Sequence, residues 1–493
     1  MIILYVALPL IVAGILPLAG RISRRIIPDI LANATLLFLL VWTAVALRPL
    51  ISDGPVVQQI SWLGEQVNIK LALDGLSLFM LLVVSLIGLG ASLFSIDYME
   101  HYGAKASYYA LLLVMIAGMN GLVLSADLFA LYVFLEVAAI ASYSLVAFGL
   151  EHDELEASFK YLMLSVVSSA FLLIGITVIF GVAGDLDFKA VAAALRELEA
   201  GKVVGIASAF FILGFGLKAA LMPFHAWLPD AHPSAPAPIS AILSGLLIKV
   251  SGVYALARVI INVFGLTPAL SEVLLWLAAL SMVLAAFLAV GQKDLKRMLA
   301  YSSISQVGYI VVGLSLGTPL GMIGGLFHLF NHAIAKGLLF LTSGSIQQST
   351  GTRDLNEMGG LSKKMPITAT TNLIGSLSIA GVPPLNGFWS KLIIIVALFQ
   401  AGRPFLALLA VLASVVTLWY YLLIQRKAFF GKLNEKWQNV KEAPFWMTAS
   451  TVILAFLCLA IGIFFSATIK TWIQPAADVL AEGVQSITGT WGF

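Results

Sequence analysis

In the run FHLFNHAIAKGLLF, His328, His332 and Lys336 recur every fourth residue within an otherwise apolar stretch. Residues four apart share one helix face, and at 1.5 Å rise per residue the three span about 12 Å. Such a ladder suits a proton relay, because histidine titrates nearest neutral pH and can both accept and release a proton. Two histidines at this spacing could also bind a metal, but no Asp or Glu on that face supplies a third ligand and the next rung is a cation. Packing alone is the other alternative. No metal and no cofactor is assigned.

Five more ionisable residues lie in apolar runs: Glu136 in LYVFLEVAAIASYSLVAF, Lys160 in ASFKYLML, Lys218 in GFGLKAALMP, Lys249 in GLLIKVSGVY and Lys391 in GFWSKLIIIVALF. A charge near the centre of a membrane helix costs about 3 kcal/mol on insertion scales, so each needs a reason. Ion pairing or snorkelling from a helix end is the plain one, and Lys160, near a helix start, fits it best. One acid cannot neutralise several bases. Some of these lysines are therefore expected to be neutral part of the time, as a proton carrier requires. Pro223 follows Lys218, and Pro383 and Pro384 precede Lys391. Proline removes a donor and clashes with the preceding turn, so both segments should break and free carbonyls beside a lysine. Kinks also serve packing, and it is the repetition of the pattern that points to a site. In YSSISQVGY, from Tyr301, the polar groups could extend a path, although bonding between helices is their plainer use.

These residues need a scaffold that holds them in lipid. The 493 residues are 60% hydrophobic and 11% charged, with a mean hydropathy of +1.00, and apolar runs recur along the whole chain. Turn signals divide them into fourteen spans, starting near Met1, Pro28, Leu73, Tyr108, Leu128, Ser158, Val203, Pro238, Ser271, Met298, Leu320, Ile367, Phe405 and Phe445. Met1 to Gly20 reads as a retained helix rather than a signal peptide. The stretch LDFKAVAAALRELEAGK, up to Lys202, reads as an interfacial amphipathic helix. Loops after odd-numbered spans hold fifteen Lys and Arg, from Arg21 to Lys441. Those after even-numbered spans hold six: Arg48, Lys70, Lys189, Arg196, Lys202 and Arg403. That bias places odd loops and the cytoplasm together and both termini outside. The single cysteine, Cys458, excludes an intrachain disulfide and any cysteine cluster for metal. The net charge of +3 is dispersed, which argues against nucleic acid.

Similar features recur roughly 175 residues apart. ASFKYLML from Ala157 matches AIAKGLLF from Ala333, and KAALMPFHAW matches GVPPLNGFWSK. Five spans separate the copies, and an odd repeat must insert upside down. The expected organisation is helices 1–3 in 1–107, a first five-helix repeat in 108–266, its inverted copy in 267–430, and helix 14 with a tail in 431–493.

DLFALYVFLEV, FKYLML, GLKAALMPFHAWLPDAHPSAPAPISA, GLLIKVSGVY, LKRMLAYSSISQVGY, FHLFNHAIAKGLLF and GVPPLNGFWSK, in that order, resemble the antiporter-like subunits of respiratory complex I, related membrane-bound hydrogenases and Mrp-type cation/proton antiporters. The resemblance implies an all-α polytopic membrane protein of fourteen helices, with two inverted five-helix repeats and broken seventh and twelfth helices. It also implies a pair of Glu136 with Lys218, a central relay at Lys249, continuation through His328, His332 and Lys336, and a terminal proton site at Lys391. Lys391 excludes the complex I subunit type that carries Glu there, and the chain stops too early for the long lateral helix of another. The hydrogenase or D-type branch remains. Asp230 and His232 in WLPDAHPSAPAPISA resemble the redox-linked lineage. The implied function is proton translocation, with Na+ exchange open, in an inner-membrane complex whose partners are further membrane subunits and whose electrons run elsewhere. A D-type component of an Mrp antiporter, without redox chemistry, is the alternative. An inert anchor would leave the buried charges dispensable, and a solute carrier gives no reason for them.

Overall fold

The computed structural model describes residues 2–62, 67–197 and 201–488. Met1 and residues 198–200, which belong to the first span and the amphipathic stretch expected above, lie outside the described residues. The chain opens with α1 (Leu4–Ile22) and α2 (Ile26–Asp53), then an antiparallel hairpin of β1 (Val56–Trp62) and β2 (Val67–Leu73). Next come α3 (Gly75–Tyr98), α4 (Lys105–Leu124), α5 (Leu128–Val146), α6 (His152–Ala183) and the short α7 (Phe188–Glu197). α8 (Gly201–Lys218) stops at a break, α9 (Leu228–Ser234) resumes, and α10 (Ala237–Val263) follows, wound largely as π-helix. Then come α11 (Pro268–Val290), α12 (Leu295–Ser315) and α13 (Pro319–Thr350). α14 (Pro366–Ala380) and α15 (Asn386–Gln400) flank a second break. The chain continues through α16 (Pro404–Phe429), α17 (Phe445–Ile463), α18 (Phe465–Thr468) and α19 (Gln474–Thr488).

Helix ends follow local chemistry. Asp74, Asp127, Thr267, Asp294 and Thr318 each accept a bond at their helix N-terminus from the backbone N–H three residues on. Proline opens α11, α13, α14 and α16, where its missing N–H costs nothing. α6 and α13 each run 32 residues and close on a left-handed glycine, Gly184 or Gly351.

Among the described residues twelve helices are long and apolar enough to cross a membrane: α1 to α6, α8, α10 to α12, α16 and α17. α13 is longer than most of them, about 48 Å at 1.5 Å per residue, but its histidines, lysine and amides lower its hydropathy. α14 and α15 are each half-length. α10 and α12 form the centre, with nearly every side chain buried, while α1, α2, α6 and α16 turn Ile, Leu, Val and Phe outward. A one-sided apolar exterior around a polar interior is the arrangement lipid requires.

Loops of like parity touch. On the even-loop side β2 bonds to Ala126, and Ala126 to Phe188. On the odd-loop side Lys293 and Arg353 exchange backbone bonds with Leu355 and Leu295, and Arg25, Asp29, Glu100 and Lys105 form one ion-pair network. The β-hairpin and α19 were not expected from the sequence.

The second break depends on close approach. A Cβ on Gly387 would strike the carbonyl oxygen of Ser378, at the end of α14. Gly387→Ala is therefore expected to destabilise the protein by about 1–3 kcal/mol through overpacking. A lowered thermal midpoint of the purified assembly checks this, and an unchanged midpoint contradicts it.

Candidate functional site

The breaks set the two ends of a buried row. Lys218 is the last residue of α8, and Lys391 lies in the second turn of α15. Pro223 and Pro383–Pro384 fall in the intervening turns, where Ala220 and Gly381 take positive φ. Lys218 thus sits where a helix lets go of its backbone, and Lys391 about one turn after the second break, where the helix has resumed.

At the first end Lys218 Nζ lies 3.6 Å from Glu136 Oε1 on α5 and donates to Ser165 Oγ at 2.7 Å. Ser169, one turn along α6 from Ser165, donates to the same Glu136 oxygen. The two serines bracket the pair, so the carboxylate and ammonium are held just beyond full contact. Sequence reasoning missed both; their signal is a Ser pair spaced by four in SVVSSA.

In the middle, Lys249 is fully buried and donates to the Ser244 carbonyl on its own helix. Ser244 Oγ meets Ser303 Oγ on α12 at 2.7 Å. Gln306, one turn on, meets His328 Nε2 at 3.1 Å, and the other ring nitrogen of His328 meets Ser390 Oγ of α15 at 3.0 Å. The His328 and His332 rings stack with centroids 6.2 Å apart, and both nitrogens of His332 lack a protein partner. Lys336 donates to the Leu299 carbonyl and to Tyr421 OH, each at 2.9 Å. At the far end Lys391 lies 4.8 Å from the Tyr309 ring centroid and 3.2 Å from Ser414 Oγ. A cavity of about 280 Å³ beside it is lined by Phe388, Leu392, Ile395, Val411 and Val415.

The structure thus brings Glu136 to Lys218, and bonds His328 directly to Gln306 on α12 and Ser390 on α15. Ser303, Gln306 and Tyr309 all come from the YSSISQVGY segment, which serves as the spine of the row while also bonding helices together. Lys160 stands apart. Its side chain is about half exposed and pairs with Glu156 at 2.8 Å and Asp230 at 3.3 Å. Asp230 also holds Arg297 at 2.9 Å, which makes this a charge cluster at the odd-loop edge. Among the described residues, no carboxylate pairs with Lys249, Lys336 or Lys391; their bonds go to neutral oxygens.

A row of buried amines and imidazoles, bonded mainly to neutral groups and with a single carboxylate at one end, has the donor and acceptor groups that proton transfer needs. The family model for the transmembrane part of NADH:quinone oxidoreductase and Mrp antiporters matches residues 125–417. The chain belongs to this family. A second model, for the N-terminus of complex I chain 5, matches residues 61–109. The N subunit of NADH-quinone oxidoreductase from Desulforudis audaxviator is 33% identical over 96% of this chain and 98% of its own. The D component of the Na(+)/H(+) antiporter from Alkalihalophilus pseudofirmus is 36% identical over 79% of this chain and 80% of its own. Among solved structures, a chain of the Mrp complex from Dietzia sp. DQ12-45-1b superposes with a TM-score of 0.89 at 28% identity, over 98% of both chains. The protein is thus a multi-pass membrane subunit related to ion-translocating complexes.

The row generates an expectation for its central stripe. His328→Ala and His332→Ala should each slow proton transfer several-fold, because water can stand in for a neutral imidazole. Lys336→Ala should lower it much further, since no water replaces an inward-facing base. Proton flux in vesicles carrying the assembled complex checks the order, and three equal, negligible effects would assign the stripe to packing.

Proposed function

We propose that this subunit carries protons along Glu136, Lys218, Lys249, His328, His332, Lys336 and Lys391, within a multisubunit complex of the inner membrane powered by redox chemistry in other subunits. The observation that carries this reading is the row itself: buried bases, spaced through the centre of the fold, most of them bonded to neutral hydroxyl, amide or carbonyl groups. The full-length correspondence with a component of a quinone oxidoreductase supports the redox drive. Exchange of Na+ for H+ without electron input is the second reading, favoured by the likeness to a Na(+)/H(+) antiporter component. Proton flux in vesicles, with and without sodium and with and without an electron donor, separates them.

The scaffold reading is fourteen spans, counting α13 and the α14–α15 pair, with units at 108–266 and 267–430 related by inversion. α13 begins and ends 167 residues after α6 (152 to 319, 183 to 350), and the isolated bridges Asp127–Asp187 and Asp294–Asp354 keep the same offset. The first bridge lies on the even-loop side and the second on the odd, as inversion requires. This register pairs Lys336 with Ser169 and His332 with Ser165. The match of Ala157 to Ala333 falls off it, so Lys160 is no counterpart of Lys336. The bias of Lys and Arg supports odd loops in the cytoplasm and both termini outside.

The pair at Glu136 is the proposed switch. While the carboxylate is close, the ammonium is favoured; opening the pair in a low-dielectric site ejects the proton toward Lys249. Glu136→Gln should therefore largely stop coupled transport in assembled complexes, and Glu136→Asp should keep part of it. If Glu136→Gln combined with Lys218→Met pumps normally, the pair is scaffolding. Lys391→Ala should abolish translocation with the complex intact, and Lys391→Arg should fail as well, because guanidinium does not release its proton at workable pH. Wild-type flux in either Lys391 variant removes that residue from the path.

A further inference from the structure

α10 leads from Lys249 to the even-loop side, and its loose winding gives that run an unusual face. A π-helix bonds each residue to the fifth before it, and such turns often mark functional sites. Beyond Lys249 the polar residues Tyr254, Arg258 and Asn262 follow at intervals of five, four and four. Arg258 Nε bonds to Tyr254 OH at 3.2 Å, and its Nη1 to Asn262 Oδ1 at 3.1 Å. The guanidinium lies 5.4 Å from the Tyr254 ring centroid. Two further contacts, at 2.8 and 2.9 Å, hold it to both oxygens of Asp74.

Asp74 is itself fixed. It caps α3, accepting from the Ser77 N–H at 2.8 Å while its own N–H donates to Ser77 Oγ at 2.7 Å. Burial alone would raise its carboxyl pKa, but the guanidinium beside it brings it below the ordinary carboxylate value, so the pair stays charged. Past the pair opens a polar cavity of about 390 Å³, bordered by Lys70, Asp74, Asp187, Lys189, Arg258 and Asn262. Its walls come from the hairpin, α7 and the ends of α3 and α10, all on the even-loop side. A cavity of this size and polarity has room for several waters.

The row therefore has a second neighbour besides Lys391. Lys249, whose ammonium bonds back to the Ser244 carbonyl, stands on the same helix as this vestibule, and the Tyr254–Arg258 group lies on the helix between the two. For a pump, a proton path along that stretch of helix would be a short circuit. A permanently charged arginine, fixed across a narrow polar passage, is a known barrier to protons, since it repels positive charge and cannot relay by losing its own. Coming from Lys249, a proton meets Tyr254 and the guanidinium before it reaches the carboxylate.

We propose that Arg258, anchored by Asp74, is an electrostatic seal that keeps protons on Lys249 from leaking to the even-loop side. The inference rests on the row being a proton carrier, which the Lys391 variants test separately under drive. The seal is read without drive, as passive decay of an imposed pH gradient in vesicles holding the complete complex.

Arg258→Gln with Asp74→Asn removes both charges together, keeps groups able to hydrogen-bond, and leaves no buried charge unpaired. Decay of the gradient should accelerate about tenfold or more, and adding Lys249→Met should restore the native rate. A double variant as tight as the native complex overturns the seal, and so does a leak that persists without Lys249. Arg258→Lys provides an independent arm should the neutral pair not assemble. It keeps a positive charge that can be lost, so these vesicles should hold the gradient at neutral pH and leak as the even-loop side is made alkaline. The groups facing that ammonium are Asp74, Tyr254 and Asn262, with Lys70, Asp187 and Lys189 across the cavity. Native-like tightness of Arg258→Lys at every pH overturns the proposal.

Discussion

A polar atom in hydrocarbon must find its partner inside the protein, and most of this architecture follows from that demand. Backbone groups meet it by forming helices, and where two helices break the freed groups lie inside the fold. Ionisable side chains meet it by standing at the centre, so α10 and α12 are almost wholly buried while α1, α2, α6 and α16 supply the greasy exterior. Among the described residues Lys249, Lys336 and Lys391 have no acid partner and are held by carbonyls and hydroxyls, whereas Lys218 has Glu136.

In the inverted-repeat register proposed above, His332 and Lys336 on the 32-residue α13 correspond to Ser165 and Ser169 on α6, and there the charges arrive from α5 and α8 instead. The row thus has a carboxylate–ammonium pair at one end, Glu136 with Lys218, and at the other Lys391, which among the described residues has no acid partner.

Much of this was legible in the sequence. The breaks were, because proline and an intramembrane lysine each carry a local physical cost that no packing context hides. The stripe on α13 was, because in an apolar run long enough to be a helix residues four apart share one face. Lys160 misled because hydropathy starts the sixth span near Ser158, whereas the helix starts at His152. Asp153 and Glu154 depress the hydropathy of that first turn, yet favour its N-terminus. The helix reaches out of the apolar layer and takes Lys160 to its edge. Ser165 and Ser169 were hidden because a hydroxyl in a membrane helix usually bonds its own backbone. The hairpin was hidden because two short alternating strands vanish in so apolar a chain, and α19 because an amphipathic helix lacks the composition of a span.

The cavity at Lys391 opens on the lateral face of the protein, between α15 and α16, and its lining is nearly all hydrocarbon. Whatever covers that opening becomes part of the medium around the terminal ammonium: a lipid tail, a neighbouring helix with a hydroxyl, or one with a carboxylate. The energy of the charged form there therefore depends on that cover as well as on this chain.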